Sequence, residues 1–270
     1  MSATRNIDRD LVTLCSQGSL TKDELSTAFI RASPGTRNSA LRQAAENGRA
    51  DTVTNILATE VDPPLSIDAG TSICAAYGGL EVYRILHAKY PNIIHVLDEV
   101  HGSALHTAIR GRDLPLMRYL LDNGVNPGKS LEERSYRFYD STPLDDAVLV
   151  DSEPALRLLI ERGATLQASE ALQIAASMRR LNLVRVLIEL GADVNLVVGL
   201  DFPEWDRCQS CSGPLHGAAR GGFTDVVGVL LDHGADVGLR DTRGNTPLDY
   251  ALEGEHILVT GMLKRATQGF

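Results

Sequence analysis

A short pattern recurs along the 270 residues: a Ser/Thr turn, two apolar positions, an Ala-rich helix-like segment, a turn, then a second apolar segment ending at Gly. The sharp copies are SALHTAIRGRDLPLMRYLLDNGVNP (103–127), STPLDDAVLVDSEPALRLLIERGATL (141–166), ALQIAASMRRLNLVRVLIELGADVN (171–195), PLHGAARGGFTDVVGVLLDHGADV (214–237) and TPLDYALEGEHILVTGML (246–263). Weaker copies lie at 39–57 (SALRQAAENGRADTVTNIL) and 69–86 (AGTSICAAYGGLEVYRIL). One such unit cannot bury its own apolar face, so neighbours must stack to make a core. A length suggesting two domains therefore reads instead as one elongated array.

The side chains suit that stacking. Leu172, Ala175 and Ala176 share one helical face, and Leu183, Val186, Leu187 and Leu190 follow i, i+3, i+4, i+7 spacing. Small residues at Ala44, Ala45, Ala108, Ala147, Ala175, Ala218, Ala219 and Ala251 let adjacent first helices approach closely. Gly124, Gly163, Gly191 and Gly234 stand where a helix would end in a left-handed cap.

These motifs resemble the ankyrin repeat: TPL at Thr142 and Thr246, LHxA at Leu105 and Leu215, and GADV at Gly191 and Gly234. The resemblance covers about residues 38–264 and implies an all-α solenoid of helix-turn-helix units with short β-hairpin fingers. About seven helix pairs are expected, with right-handed curvature. Residues 1–37 are expected to form an N-terminal helical cap, 38–264 the ankyrin-repeat solenoid of about six to seven repeats, and 265–270 a C-terminal tail. The resemblance also implies that the ring of His106 and His216 bonds the adjacent turn. Asp145 and Asp249 replace that His and are expected to cap their helices, with Ser103, Thr142 and Thr246 as turn and N-cap residues.

The period is broken twice. Positions equivalent to the turn Thr fall at 39, 69, 103, 142, 170, 213 and 246, so the spacings are 30, 34, 39, 28, 43 and 33. The long spacings place finger insertions near 128–140 (GKSLEERSYRFYD at its core) and 196–213 (LVVGLDFPEWDRCQSCSG). The first carries Tyr136, Phe138 and Tyr139; the second carries Phe202, Pro203 and the single Trp, Trp205. Aromatics are only 5% of the chain, so their concentration in two fingers either marks interface hot spots or caps neighbouring fingers.

In the resembled family, the two residues after the Ala pair face a concave groove. Copy by copy they are Glu46 and Asn47, Ala76 and Tyr77, Arg110 and Gly111, Leu149 and Val150, Ser177 and Met178, Arg220 and Gly221, Glu253 and Gly254. Tyr77, Leu149, Val150 and Met178 would make an apolar patch flanked by Arg110 and Arg220. That suits an apolar partner segment with an acidic neighbour, unless the fingers themselves cover it. A net charge of −9 speaks against general nucleic-acid binding.

The expected function is therefore a protein–protein interaction module, monomeric, with a protein partner and no cofactor, metal, nucleic acid or membrane. The rival is a small-molecule binder or non-classical enzyme, with His216, Tyr139, Asp206 and Glu204 as acid/base candidates; the chain offers no nucleophile–base–orienter set, P-loop or dinucleotide fingerprint. Neighbouring helix positions point about 100° apart, so Asp145 and Asp146 do not form an acid/base dyad. Cys208 and Cys211 have zinc-knuckle spacing without two further partners, leaving zinc, a labile disulfide or two thiols open. Cys15 and Cys74 read as small buried groups. No secretory leader, membrane span or lipid signal is read from the sequence, so a cytoplasmic or nuclear protein is expected.

Overall fold

The structure is a computed structural model that describes residues 3–98, 102–128, 142–197 and 212–268. These residues group into two compact units, one reaching Pro127 and one starting at Gly128. Both are all-α repeat stacks.

The first unit holds four helix pairs: α1 (Ala3–Gln17) with α2 (Lys22–Arg31), α3 (Pro34–Glu46) with α4 (Ala50–Ala58), α5 (Ala69–Tyr77) with α6 (Leu80–Lys89), and α7 (Ala104–Arg110) with α8 (Leu114–Asp122). First helices stack on first helices, α1 on α3 on α5 on α7, and second on second, α2 on α4 on α6 on α8. A two-residue antiparallel pair precedes α7, Leu97 opposite Ser103 and Asp98 opposite Gly102. The first repeat differs from its sequence reading: the N-cap of α3 is Ser33 rather than Ser39, because Pro34 at the first helical position and the Ser33 hydroxyl start the helix early.

The second unit holds α9 (Pro143–Leu149) with α10 (Glu153–Glu161), α11 (Ala171–Ser177) with α12 (Leu181–Glu189), α13 (Pro214–Arg220) with α14 (Thr224–Asp232), and α15 (Pro247–Glu253) with α16 (Ile257–Thr267). Helix α16 continues through Thr267, past the expected repeat boundary at 264. Here too α9, α11, α13 and α15 stack in order, and α12, α14 and α16 stack behind them.

The core is made of the small and branched positions the motif repeats. Ala147, Ala175, Ala176, Ala218, Ala219 and Ala251 are buried, as are Leu187 and Leu230 behind them. The second helices of four sharp copies, α8, α10, α12 and α14, are each followed by a glycine with positive φ, such as Gly191 at 91° and Gly234 at 83°. At Gly191 the next N–H, on Ala192, reaches the carbonyl of Leu187 while the Gly191 N–H reaches Ile188, so orphan carbonyls are satisfied.

One register position ties each turn to the helix it precedes. Two residues before the Ala pair, Asp145 and Asp249 accept the backbone N–H of Thr142 at 2.8 Å and of Thr246 at 2.7 Å. His106 Nδ1 accepts the Ser103 N–H at 3.3 Å, and His216 Nδ1 the Gly213 N–H at 3.2 Å. Some of these residues also reach forward. His216 Nε2 meets the carbonyls of Leu239 at 3.0 Å and Asn245 at 3.2 Å, and Gln173 Nε2 donates to the Leu196 carbonyl at 2.9 Å. In the first unit, Arg42 holds the same position and pairs with Asp68, the N-cap of α5. The turn between first and second helix is left-handed at Arg112, Asp151, Arg179 and Glu255, all near 55°. Two of these turns are tied to their neighbours by charge: Asp151 pairs with Arg180 at 3.0 Å and Arg179 with Asp225 at 3.2 Å.

Candidate functional site

The expected groove residues sit at the C-terminal ends of the first helices, where the helix stops burying its side chains. Tyr77 ends α5 and is 58% exposed, Leu149 ends α9 and is 44% exposed, and Met178 caps α11 and is 43% exposed. Val150, the C-cap of α9, is half-buried, and Arg110 ends α7 on the surface. Ala76 corrects the sequence assignment: it is buried, because Ala75-Ala76 is itself the Ala pair and the outward residues of this copy are Tyr77 and Gly78. Tyr136, Phe138, Tyr139, Phe202 and Trp205 lie outside the described residues, as do Cys208 and Cys211.

In the second unit, two of the expected residues share one groove. Between α11 and α13 lies an open depression of about 290 Å³, walled by Ile174, Ser177, Met178 and Glu170 on one side and Gly217 and Arg220 on the other. Gly217 lets α13 pack closely on Ser177 at the edge of this groove: a Cβ there would stand 2.2 Å from the Ser177 hydroxyl. Arg220 is held in place, its guanidinium carbon 4.2 Å from the Tyr250 ring centroid. Its carbonyl also receives His256 Nε2 at 2.9 Å.

Glu170 is the wall residue that the motif alone did not flag. Its signal is present, a Glu at the register where four other copies carry Ser or Thr, but its partial burial depends on packing between repeats. Desolvation raises its carboxyl to about 7, and the nearby Asp145 charge adds to the shift. Burial likewise pushes Asp145 up to about 6, against the hydrogen bonds from Thr142 that favour its charged form. Asp145 Oδ1 is buried, and the backbone N–H of Glu170 also favours its charged form. Asp145 thus caps its helix as expected, and also faces a carboxyl of the following repeat.

His216 is fully buried, with Nδ1 accepting from Gly213 and Nε2 facing two carbonyls. That network fixes the neutral tautomer with the proton on Nε2, and desolvation lowers the pKa of the ring. Both ring nitrogens are occupied in holding turns. Asp241 is organised in the same finger: burial would raise its carboxyl, but the Tyr250 hydroxyl at 2.5 Å and the N–H groups of Asn245 and Arg243 hold it low. Cys15 is buried and its thiol is raised to about 11 by desolvation, whereas Cys74 is only half-buried. Among the described residues no cluster of His, Cys, Asp and Glu could hold a metal ion, and no helix is long and apolar enough to cross a membrane.

Family models agree with this arrangement. The model for ankyrin repeats in three copies matches residues 71–170, and the single ankyrin repeat model matches 171–197 and 213–242. The chain is 32% identical over 180 residues to the B-cell lymphoma 3 protein homolog of Mus musculus, covering 64% of this chain and 38% of that protein. It is 32% identical over 126 residues to ankyrin repeat and SOCS box protein 11 of Danio rerio, covering 44% and 39%. It is 32% identical over 157 residues to regulatory protein NPR5 of Arabidopsis thaliana, covering 58% and 29%. The chain thus spans less than half the length of these curated relatives. Ankyrin repeats as a class serve protein–protein interaction, and both repeat stacking and the turn-binding His and Asp residues follow that pattern: this chain belongs to the ankyrin repeat family.

Proposed function

We propose that the chain binds a partner protein along the exposed ends of its first helices, without catalysing a reaction. The observation that carries this reading is the groove between α11 and α13, where Met178 and Arg220 meet beside Ile174. Exposed Leu and Met side chains leave apolar area in water that a partner would bury, at roughly 25 cal/mol per Å². Arg220, braced on Tyr250, supplies a fixed cation for an acidic neighbour in that partner. Tyr77 and Arg110 in the first unit, Leu149 and Val150 in the second, and the finger residues Tyr136, Phe138, Tyr139, Phe202 and Trp205 belong to the same proposal. The setting we propose is the cytoplasm or nucleus.

The rival enzyme reading loses its one described acid/base candidate, since His216 is committed to backbone groups on both ring nitrogens. Tyr139, Asp206 and Glu204 lie outside the described residues. The test is affinity capture from the native source with the wild-type chain and with a Leu149→Asp/Met178→Asp variant. Both side chains are exposed, so the variant keeps its helical circular dichroism and melting temperature. It is expected to lose the protein that the wild type retains; equal recovery of every captured protein by both chains would overturn the proposal.

A further inference from the structure

The two stacks also carry a pair of surfaces that the groove does not use. On the first unit, α1 and α2 alone enclose an open groove of about 570 Å³, so it faces away from α3 and α4. Its floor is apolar, with Leu11, Leu14, Leu20 and Ala28. Leu20 of the α1–α2 connection lines it, and the α2 lining residues fall at 23, 24, 27, 28 and 31, a single helical face. That face begins with the acids Asp23 and Glu24 and ends at Arg31.

On the second unit, α16 buries Val259 and Leu263 against the stack and turns its other side outward. Ile257 is 83% exposed and Leu258 73% exposed, beside exposed Leu252. Gly261, one turn on, has open space where a Cβ would stand. The same helix ends in Lys264 and Arg265, while Glu253 and Glu255 lie just before it. Exposing two large aliphatic residues side by side is the mark of an interaction surface.

The two surfaces correspond in length and in charge order. The α2 face from Asp23 to Arg31 and α16 from Ile257 to Arg265 each run about 12 Å, at 1.5 Å per residue. Laid antiparallel to α2, α16 would set Lys264 and Arg265 against Asp23 and Glu24, and Glu253 and Glu255 toward Arg31. Ile257 and Leu258 would enter the Leu-lined floor, and bare Gly261 would let the backbones approach. We infer that α16 of one copy docks in the α1–α2 groove of a second copy, so that chains associate head to tail. This departs from the monomer expected from the sequence and is independent of the groove between α11 and α13. A heterologous contact of this kind uses two different patches, so it propagates along a row of copies unless rotation closes a ring.

Sedimentation velocity tests it on the full chain. The wild type is expected to gain mass with concentration past the dimer, and to lose that gain as salt screens the Lys264 and Arg265 contacts. A head variant, Asp23→Lys/Thr27→Arg, and a tail variant, Ile257→Glu/Leu258→Glu, alter exposed side chains only, and circular dichroism checks that both fold. Each is expected to be monomeric alone. Mixed in equal amounts they should form a 1:1 dimer and nothing larger, because the head variant keeps its tail and the tail variant its head. A wild type at monomer mass throughout, variants that still assemble singly, or a mixture that stays monomeric would each overturn the proposal. So would loss of a different protein by the tail variant with a monomeric wild type, which would give the face to that partner.

Discussion

Gly78, at the end of α5, presses so closely on the carbonyl of Ala45 in α3 that a Cβ at residue 78 would stand 1.8 Å from that oxygen. Its φ of −72° is open to any residue, so proximity alone demands glycine there. Gly78→Ala is expected to destabilise by about 1–3 kcal/mol, since a backbone carbonyl within a packed helix cannot step aside. Gly35, in the first turn of α3, meets nothing within 4 Å. Gly35→Ala should stabilise by about 0.5–1 kcal/mol through helix propensity. Urea midpoints moving in opposite directions for the two substitutions would check the close stacking of first helices.

The second-helix core gives a larger effect. Leu187 and Leu230 are fully buried on α12 and α14. Truncation to Ala removes buried apolar area and leaves a cavity that neighbouring helices fill only in part. Each substitution should cost about 2–5 kcal/mol. The midpoint of urea unfolding reports it, and midpoints at the wild-type value would contradict the packing.

His216 links three backbone groups across two connections, and its replacement separates those links. His216→Ala leaves the Gly213 N–H and the carbonyls of Leu239 and Asn245 without their partner in a buried site. The expected loss is about 2–4 kcal/mol, from unmet polar groups together with a cavity. Amide exchange should rise first at Asp241–Asn245, the turn that the ring holds from the far side. Protection unchanged in that turn would assign the ring no role there.

Much of this stack is legible in the sequence because the constraints are local and repeated. Ala pairs, Gly stops and TPL turns each specify one helix end, and seven copies reinforce one another. The His and Asp of the third helical position could be read as turn anchors, and their bonds to Ser103, Thr142, Gly213 and Thr246 are those expected. What stayed hidden depends on contact between copies. The forward reach of Gln173 to Leu196 needs the following connection to return beside α11. The raised carboxyl of half-buried Glu170 needs the charge of Asp145 from the preceding repeat nearby. The misassignment of Ala76 arose from a doubled Ala in AAY, where the pattern can be laid down in two registers one residue apart. The apolar side of α16 was hidden differently, because IL beside buried Val259 reads as core until the packing shows which side is covered.

Buried Asp145 and half-buried Glu170 make stability pH-dependent in a direction unlike that of most carboxylates. Glu170 and Asp145 are raised on folding, to about 7 and about 6, chiefly by desolvation; the Asp145 charge adds to the first shift and the Asp146 charge to the second. A group whose folded pKa is raised contributes stability that is complete below its unfolded pKa and lost as pH rises through the folded value. For Glu170 the contribution is present below about 4.5 and gone above about 7; for Asp145 it fades from about 3.8 to about 6. His216 works oppositely, since burial lowers its pKa and protonation in acid opposes folding. The two effects separate in Glu170→Gln, which stays neutral and leaves the His216 network intact. That variant should match the wild type near pH 4.5 and exceed it by about 1–3 kcal/mol at pH 8. Urea unfolding of both chains at several pH values measures the difference directly. A constant difference across that range would mean that Glu170 ionises as it does in water, and its desolvation beside Asp145 would have to be abandoned.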